Sequence, residues 1–286
     1  MAKQQTQHAL APACKQDHLM PQNGNSLEHL EASKLRIACV HSGSDLAEIH
    51  FNELSAAYPF VPPDQSDVIL ALGGDGLMLH ALHTHMHLNK PIYGMHCGTI
   101  GFLMNEYSQE KLVERILSAD LFALHPVAMK AMTTEGKVEH ALAFNEVALI
   151  RGSAQSANIR VSIDGVVRLE KYMGDGLIVS TAAGSTAYNL SAHGPIIPLG
   201  SNLLALTPVS PFRPRRWKGA LLPRSSVITL ENLDPKKRPL LTTADSKDIY
   251  DVVTVSVRED PSHSVQMLFD KDHSLEERII REQFTA

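Results

Sequence analysis

Cysteine is scarce in this chain. The three residues, Cys14, Cys39 and Cys97, are odd in number and share no CxxC spacing. Neither a disulfide framework nor a structural zinc site is indicated, and a reducing cytoplasm is the expected setting. Positive charge is not in excess: 26 Lys and Arg against 31 Asp and Glu leave a formal net charge of -5. That balance excludes a general nucleic-acid binder, whose affinity comes from clustered cations that displace counterions. No apolar run approaches the length of a bilayer span, so no membrane partner is expected. The opening residues lack the apolar core of a signal peptide and the Arg-rich amphipathicity of a transit peptide, and residues 1–33 read as a flexible leader.

What remains is ordinary in amount and informative in order. The chain has 286 residues, 44% hydrophobic and 20% charged, enough for two moderate domains around substantial cores. Residues 34–125 alternate apolar runs with glycine loops and helical spacing, as in Leu35–Val40, Val68–Leu72, Ile92–Met95 and residues 108–118. That texture predicts an α/β, Rossmann-like domain on a parallel sheet. From residue 126 to 264 period-two strands take over, with Asp164-Gly165 between alternating apolar residues as a hairpin signal. The expected second domain is β-rich and sandwich-like. Residues 265–286 predict a strand at Val265–Phe269 and, from the capping-box pair Ser274 and Glu277, a helix to Gln283, possibly returning to the first domain.

Three segments carry chemistry. Gly73-Gly74-Asp75-Gly76 falls between the carboxyl end of a strand and a helix start, where open α/β sheets bind ligands. Its glycines let a backbone approach phosphate oxygens closely. Asp75 either caps the helix or serves as a proton acceptor or metal partner, since a bare carboxylate beside phosphate is repelled. Asn145-Glu146 places an amide and a carboxylate in an apolar strand, which suits either a strand bordering a site or one exposed and one internally satisfied polar residue. Asp175 through Ser191 is a strand running into a loop of small and hydroxyl residues, and its polar groups suit a nucleotide, with Tyr188 able to pack on a base or ribose.

In this order and spacing, the three segments resemble the motifs of the NAD kinase family over about residues 35 to 280. The resemblance implies that Asp75 accepts the proton of the adenosine-ribose 2′-hydroxyl. It puts Gly74, Asp75 and Gly76 at the substrate, and Asn145, Glu146 and Asp175 on the dinucleotide. Ala183, Thr186, Ala187, Tyr188, Asn189 and Ser191 would line its subsites. The implied reaction transfers a phosphoryl group from ATP, or from polyphosphate, to NAD with Mg²⁺ or another divalent cation, giving NADP. No residue is assigned as a metal ligand, and the implied assembly is a homodimer or homotetramer. Two departures stand out: Ala182-Ala183 where the family usually has Pro-Thr, and His96-Cys97 where related enzymes often show Asn-Arg, so that a guanidinium able to hold phosphate is missing.

Other readings remain open from the residues alone. Lipid kinases share a resemblance to the glycine stretch, and a non-catalytic NAD sensor would keep the pocket without turnover. His80, His83, His85 and His87 suggest a metal cluster less strongly than a polar helix face. Arg213–Lys218 reads equally as a steering patch and as a solvated loop. Asp245 lies near a family position close to the transferred phosphate and is left outside the expected site.

Overall fold

Short apolar runs that end in glycine, serine or histidine build the first layer. In this computed structural model, residue 27 and residues 30–98 and 101–271 are described. The first strands and helices are β1 (Ile37–His41), α1 (Asp45–Ala57), β2 (Val68–Gly73), α2 (Asp75–His85), β3 (Ile92–His96), α3 (Leu112–Ser118) and β4 (Asp120–Leu124). Helix α1 goes beyond the expected elements. Ser44 caps it by accepting from the Ala47 N–H at 3.4 Å, and Asp45 and Glu48 complement the first-turn dipole.

Strand β2 is buried along its whole length because β1 and β3 flank it in parallel and helices cover both faces. Ile69, Leu70, Leu72, Met78 and Leu82 are fully buried, each contributing roughly 1.5–3 kcal/mol by leaving water. One face of the sheet packs Leu54 of α1 with Leu70, Leu72 and Tyr93. The other packs α2 through Met78, Ala81 and Leu82, and also receives Phe144 from the second half of the chain.

That second half contains β5 (Val127–Thr133), β6 (Val138–Ala143), β7 (Glu146–Arg151), β8 (Ala157–Ile163), β9 (Val166–Gly174), β10 (Gly176–Ser180), α4 (Tyr188–Ser191), β11 (Leu203–Val209), β12 (Ala220–Pro223), β13 (Ile228–Asn232), β14 (Leu240–Ala244), β15 (Lys247–Ile249), β16 (Val252–Glu259) and β17 (Val265–Phe269). Two six-stranded sheets form, in the orders β12-β11-β10-β7-β14-β15 and β6-β5-β16-β13-β8-β9. Their inward residues share one apolar core that includes Val147, Leu177, Val161 and Val255, the sandwich arrangement of alternating strands.

Strand β17 leaves the sandwich and inserts between β3 and β4, parallel to the first and antiparallel to the second. The chain therefore crosses between the two halves twice, and neither can move without straining the other. The expected helix at 274–283 lies outside the described residues, as does most of the expected leader. The leader's carboxyl end is not free: Leu27 is buried in the α1-side core, and Ala32–Lys34 form a 3-10 turn. Among the described residues, no helix is long and apolar enough to cross a membrane.

The predicted hairpin is present as a two-residue connection, with Ile163 paired to Val166. Asp164 and Gly165 adopt φ of 52° and 77°, the left-handed pair that a tight hairpin of this twist requires. Gly165→Ala is expected to lower the unfolding free energy by about 1 kcal/mol, read by urea denaturation. A shift in the denaturation midpoint too small to measure would contradict this account of the turn.

Candidate active site

The glycine segment lies at the carboxyl end of β2, flanked by the ends of β1 and β3. Gly74 is the N-cap of α2 and makes no side-chain cap, while Asp75 is its first residue. The carboxylate of Asp75 does not cap the helix. Its Oδ2 accepts from the Phe102 N–H at 2.9 Å and its Oδ1 from the Leu103 N–H at 3.0 Å. Two donors from one loop fix the orientation of the group across the crevice. The fit is close: a Cβ on Gly101 would stand 2.3 Å from Asp75 Oδ1. By contrast, a Cβ on Gly74 or Gly76 would meet nothing within 4 Å, so this side of the loop faces open space.

Asn145 and Glu146 approach from the sandwich. They are anchored by a residue placed outside the expected site. The side chain of Asp245 is fully buried, sits in the β14–β15 turn at φ 49°, and accepts from the N–H groups of Phe144, Asn145 and Glu146 at 2.7, 3.0 and 3.3 Å. Its Oδ2 also meets His83 Nε2 of α2 at 2.7 Å, and the His83 ring packs edge-on against Phe144 at 5.1 Å. A buried carboxylate needs this many partners. The outcome is a direct tie between α2, which carries Asp75, and the strand that carries Asn145-Glu146. Asn145 Oδ1 and Glu146 Oε2 are shielded from solvent and make no hydrogen bond among the described residues. Burial, and then the charge of Asp245, raise the Glu146 carboxyl to about 7, opposed by the Tyr188 main-chain N–H.

Much of the polar content of 180–191 builds the wall instead of facing a ligand, which corrects the expectation that all of it suits a nucleotide. Thr181 Oγ1 donates to Phe144 O at 2.6 Å and accepts from the Gly184 N–H at 3.0 Å. Ser185 Oγ donates to Ala182 O at 2.7 Å and accepts from the Ile197 N–H at 3.0 Å. Asn189 donates to Ser185 O and Pro195 O and accepts from Thr207 Oγ1 at 2.6 Å, so its side chain holds the loop. The segment can lie on Asn145 only because residue 184 is glycine, since a Cβ there would be 2.2 Å from Asn145 O. Ala183 is packed against the α2-side core. Thr186 and Ala187 are half-buried, and Tyr188 and Ser191 are exposed.

Asp175 stands apart from the others. Ser180 pairs with Glu146 while Gly176 pairs with Ile150, so Asp175 is about 17 Å along the strand from the Glu146 level. It is paired with Arg151 Nε at 2.6 Å. The Tyr188 phenol is raised by burial first and then by Asp175 and Glu146, which sets the ring between the two carboxylates.

The histidine-rich stretch is divided among separate tasks. His83 is bound to Asp245, His80 Nε2 lies 3.3 Å from Thr84 Oγ1, and α2 ends at His85 before a 3-10 turn, so the i,i+4 face of His83 and His87 does not form. Among the described residues, no group of three or more His, Cys, Asp and Glu is placed to hold a metal ion. In the basic segment, Trp217 packs against the sandwich core, edge-on to Tyr172 at 5.9 Å, and the guanidinium groups of Arg213 and Arg215 lie 5.7 Å from the Phe212 ring.

A parallel sheet with a glycine loop and an oriented carboxylate, joined to a sandwich that presents an amide-carboxylate pair, defines a nucleotide-dependent phosphotransferase fold. Residues 144–258 match the ATP-NAD kinase C-terminal domain. An NAD kinase of Cereibacter sphaeroides (strain ATCC 17029 / ATH 2.4.9) is 49% identical over 249 residues, covering 87% of this chain and 98% of that protein. The fold is shared with yeast NADH kinase complexed with NADH, at TM-score 0.75 and 20% identity over 87% of both chains. It is shared as well with an NAD kinase from Archaeoglobus fulgidus in complex with ATP, at TM-score 0.69 and 22% identity over 88% of this chain and 100% of that one. The chain belongs to the NAD kinase family, whose members are phosphotransferases, and the lipid-kinase alternative has no support.

Two predictions follow from the geometry. Gly101→Ala displaces the Asp75 carboxylate, so kcat of NADP formation is expected to fall at least about tenfold with the melting temperature nearly unchanged; full kcat would contradict the contact. For Glu146, a carboxyl raised in the folded state keeps a proton that the unfolded chain has lost. Its penalty to stability therefore grows as pH rises from about 4.5 to about 7 and is constant above. Glu146→Gln is expected to stabilise the protein by on the order of 2 kcal/mol at pH 8 and hardly at all at pH 4.5. An equal effect at both pH values in chemical denaturation would show that burial is not the cause.

Proposed function

We propose that the protein transfers the terminal phosphoryl group of ATP, or of polyphosphate, to the 2′-hydroxyl of the adenosine ribose of NAD, giving NADP. The observation that carries this reading is the Asp75 carboxylate, held by two amides at an open glycine loop and tied through α2, His83 and Asp245 to Asn145-Glu146. The shielded, unpaired Asn145 Oδ1 and Glu146 Oε2 are the donors and acceptors that ribose and carboxamide groups would satisfy. Asp175, about 17 Å along the strand, fits a ligand of dinucleotide length that passes Tyr188, with Thr186, Ala187 and Ser191 alongside. Ala183 and Asn189 support that wall from behind.

In the proposed step, the ribose oxygen attacks the terminal phosphorus in line, the bond to the leaving phosphate chain breaks, and the hydroxyl proton passes to Asp75. Backbone amides of the glycine loops orient the phosphates. A magnesium ion suits this site as a partner of the donor: the crevice offers one oriented carboxylate, Asp75, and Mg²⁺ is commonly held by one or two carboxylates together with substrate phosphates. When bound it neutralises donor charge. The free thiols of Cys39 and Cys97 fit a reducing cytoplasm.

The test is to incubate the purified protein with Mg-ATP and NAD and follow NADP with an NADP-specific dehydrogenase. Formation of NADP is expected, and Asp75→Asn is expected to lower kcat by about 10²–10⁴-fold without loss of fold. An unimpaired Asp75→Asn would remove the proton-acceptor role, and no NADP from the parent protein would remove the kinase reading.

A further inference from the structure

We propose that His96 is a donor-binding residue, its imidazole holding a phosphate oxygen of the chain from which the transferred group leaves; this rests on the kinase reading above. Both His96 ring nitrogens are shielded from solvent and make no hydrogen bond among the described residues. Buried polar atoms without partners are uncommon in folded proteins, and a bound ligand is one of the few reasons for them. The same observation marks Asn145 and Glu146, so the unpaired atoms gather around one crevice.

The position of His96 is fixed closely. Its Cα is paired with Gly73 at the end of β3, its N–H donates to Asn105 O at 2.9 Å, and the next N–H, of Cys97, donates to Gly73 O at 2.8 Å. Side chains alternate along a strand. Tyr93 and Met95 face the α1 side, whereas Ile92 faces α2 and a Cβ on Gly94 would touch Met78 of α2. His96 shares the parity of Ile92 and Gly94. It therefore lies on the face of the sheet that carries α2 and, with it, Asp75.

The chemistry of the surroundings says what such a residue would hold. The segments that border the crevice, residues 41–45, 73–80, 96–103, 144–146 and 181–191, contain no Lys or Arg, so a polyanionic donor finds no fixed cation in them. The neighbouring imidazoles are otherwise engaged. His50 Nδ1 lies 3.4 Å from Cys97 Sγ and its ring stacks on Tyr107 at 3.5 Å, His41 stacks on Phe51 at 4.8 Å, and His83 is bound to Asp245. A neutral imidazole carries one N–H donor and a protonated one carries two, and either form serves a phosphate oxygen. His96 thus takes up the task left by the absent guanidinium.

The test uses the full chain and two variants, His96→Ala and His96→Phe, the second keeping a ring of similar shape without nitrogens. The KM for Mg-ATP is expected to rise about tenfold or more in both, with the KM for NAD within twofold of the parent. The same rise is expected with inorganic polyphosphate as donor, because the contact is to phosphate. An unchanged KM for Mg-ATP overturns the assignment, as does a rise in His96→Ala that His96→Phe abolishes, a parallel rise for NAD, or a rise confined to ATP. Binding of Mg-ATP measured by calorimetry without NAD separates this from the kinase reading: a parent protein that makes no NADP but loses tenfold in Mg-ATP affinity on His96→Phe would sink the reaction and keep the donor contact.

Discussion

The buried carboxylate of Asp245 is the contact on which the rest of the site depends. It reaches no solvent and is satisfied only when three successive amides of Phe144–Glu146 and the imidazole of His83 converge on it. Because an unpaired charge in such a place costs several kcal/mol, the arrangement resists partial formation. The strand entering the sandwich, the turn between β14 and β15 and the middle of α2 must meet together. Asp75 stands eight residues before His83 on the same helix, so the carboxylate at the glycine loop and the pair on the dinucleotide strand are held in one frame.

A second constraint is closeness of backbone. Gly184 lets the 181–191 segment rest on Asn145, and Gly101 lets the loop after β3 deliver two amides to Asp75. Thr181, Ser185 and Asn189 then lock the wall through contacts to main-chain groups and to Thr207. The substitution of Ala182-Ala183 for residues with more restraint is tolerable in this frame, because Thr181 and Ser185 on either side carry the hydrogen bonds and Ala183 contributes apolar packing.

The sequence made the sheet strands legible where apolar runs ended in glycine: β1, β2 and β3 fall within a residue or two of their expected positions, and the Asp164-Gly165 turn falls where its chemistry demands. Helix α1 was readable in Ser44, Asp45 and Glu48 but carries only two buried residues, so its apolar periodicity is faint. Asp245 and His83 were not legible as a pair. They are 162 residues apart, and neither belongs to a glycine or apolar pattern; only the fold brings them together. Hydroxyl density in 180–191 was visible, but which hydroxyls face inward depends on where Phe144 and Ile197 lie, and local spacing cannot supply that.

The electrostatics of the crevice complete the physical picture. Asp75, Glu146 and Asp245 put three carboxyl groups around a site for anionic substrates, and the bordering segments have no Lys or Arg. Left as three full charges, such a site would repel phosphate. The protein mitigates this in three ways: Asp75 is held by two amide dipoles, Asp245 is matched by three amides and an imidazole, and Glu146 is pushed up to about 7 by burial and by Asp245. A phosphate chain entering here depends on backbone N–H groups, a divalent cation carried with it and neutral or weakly charged donors. Directional hydrogen bonds therefore matter more at this site than net attraction, and small errors in backbone position should cost turnover before they cost stability.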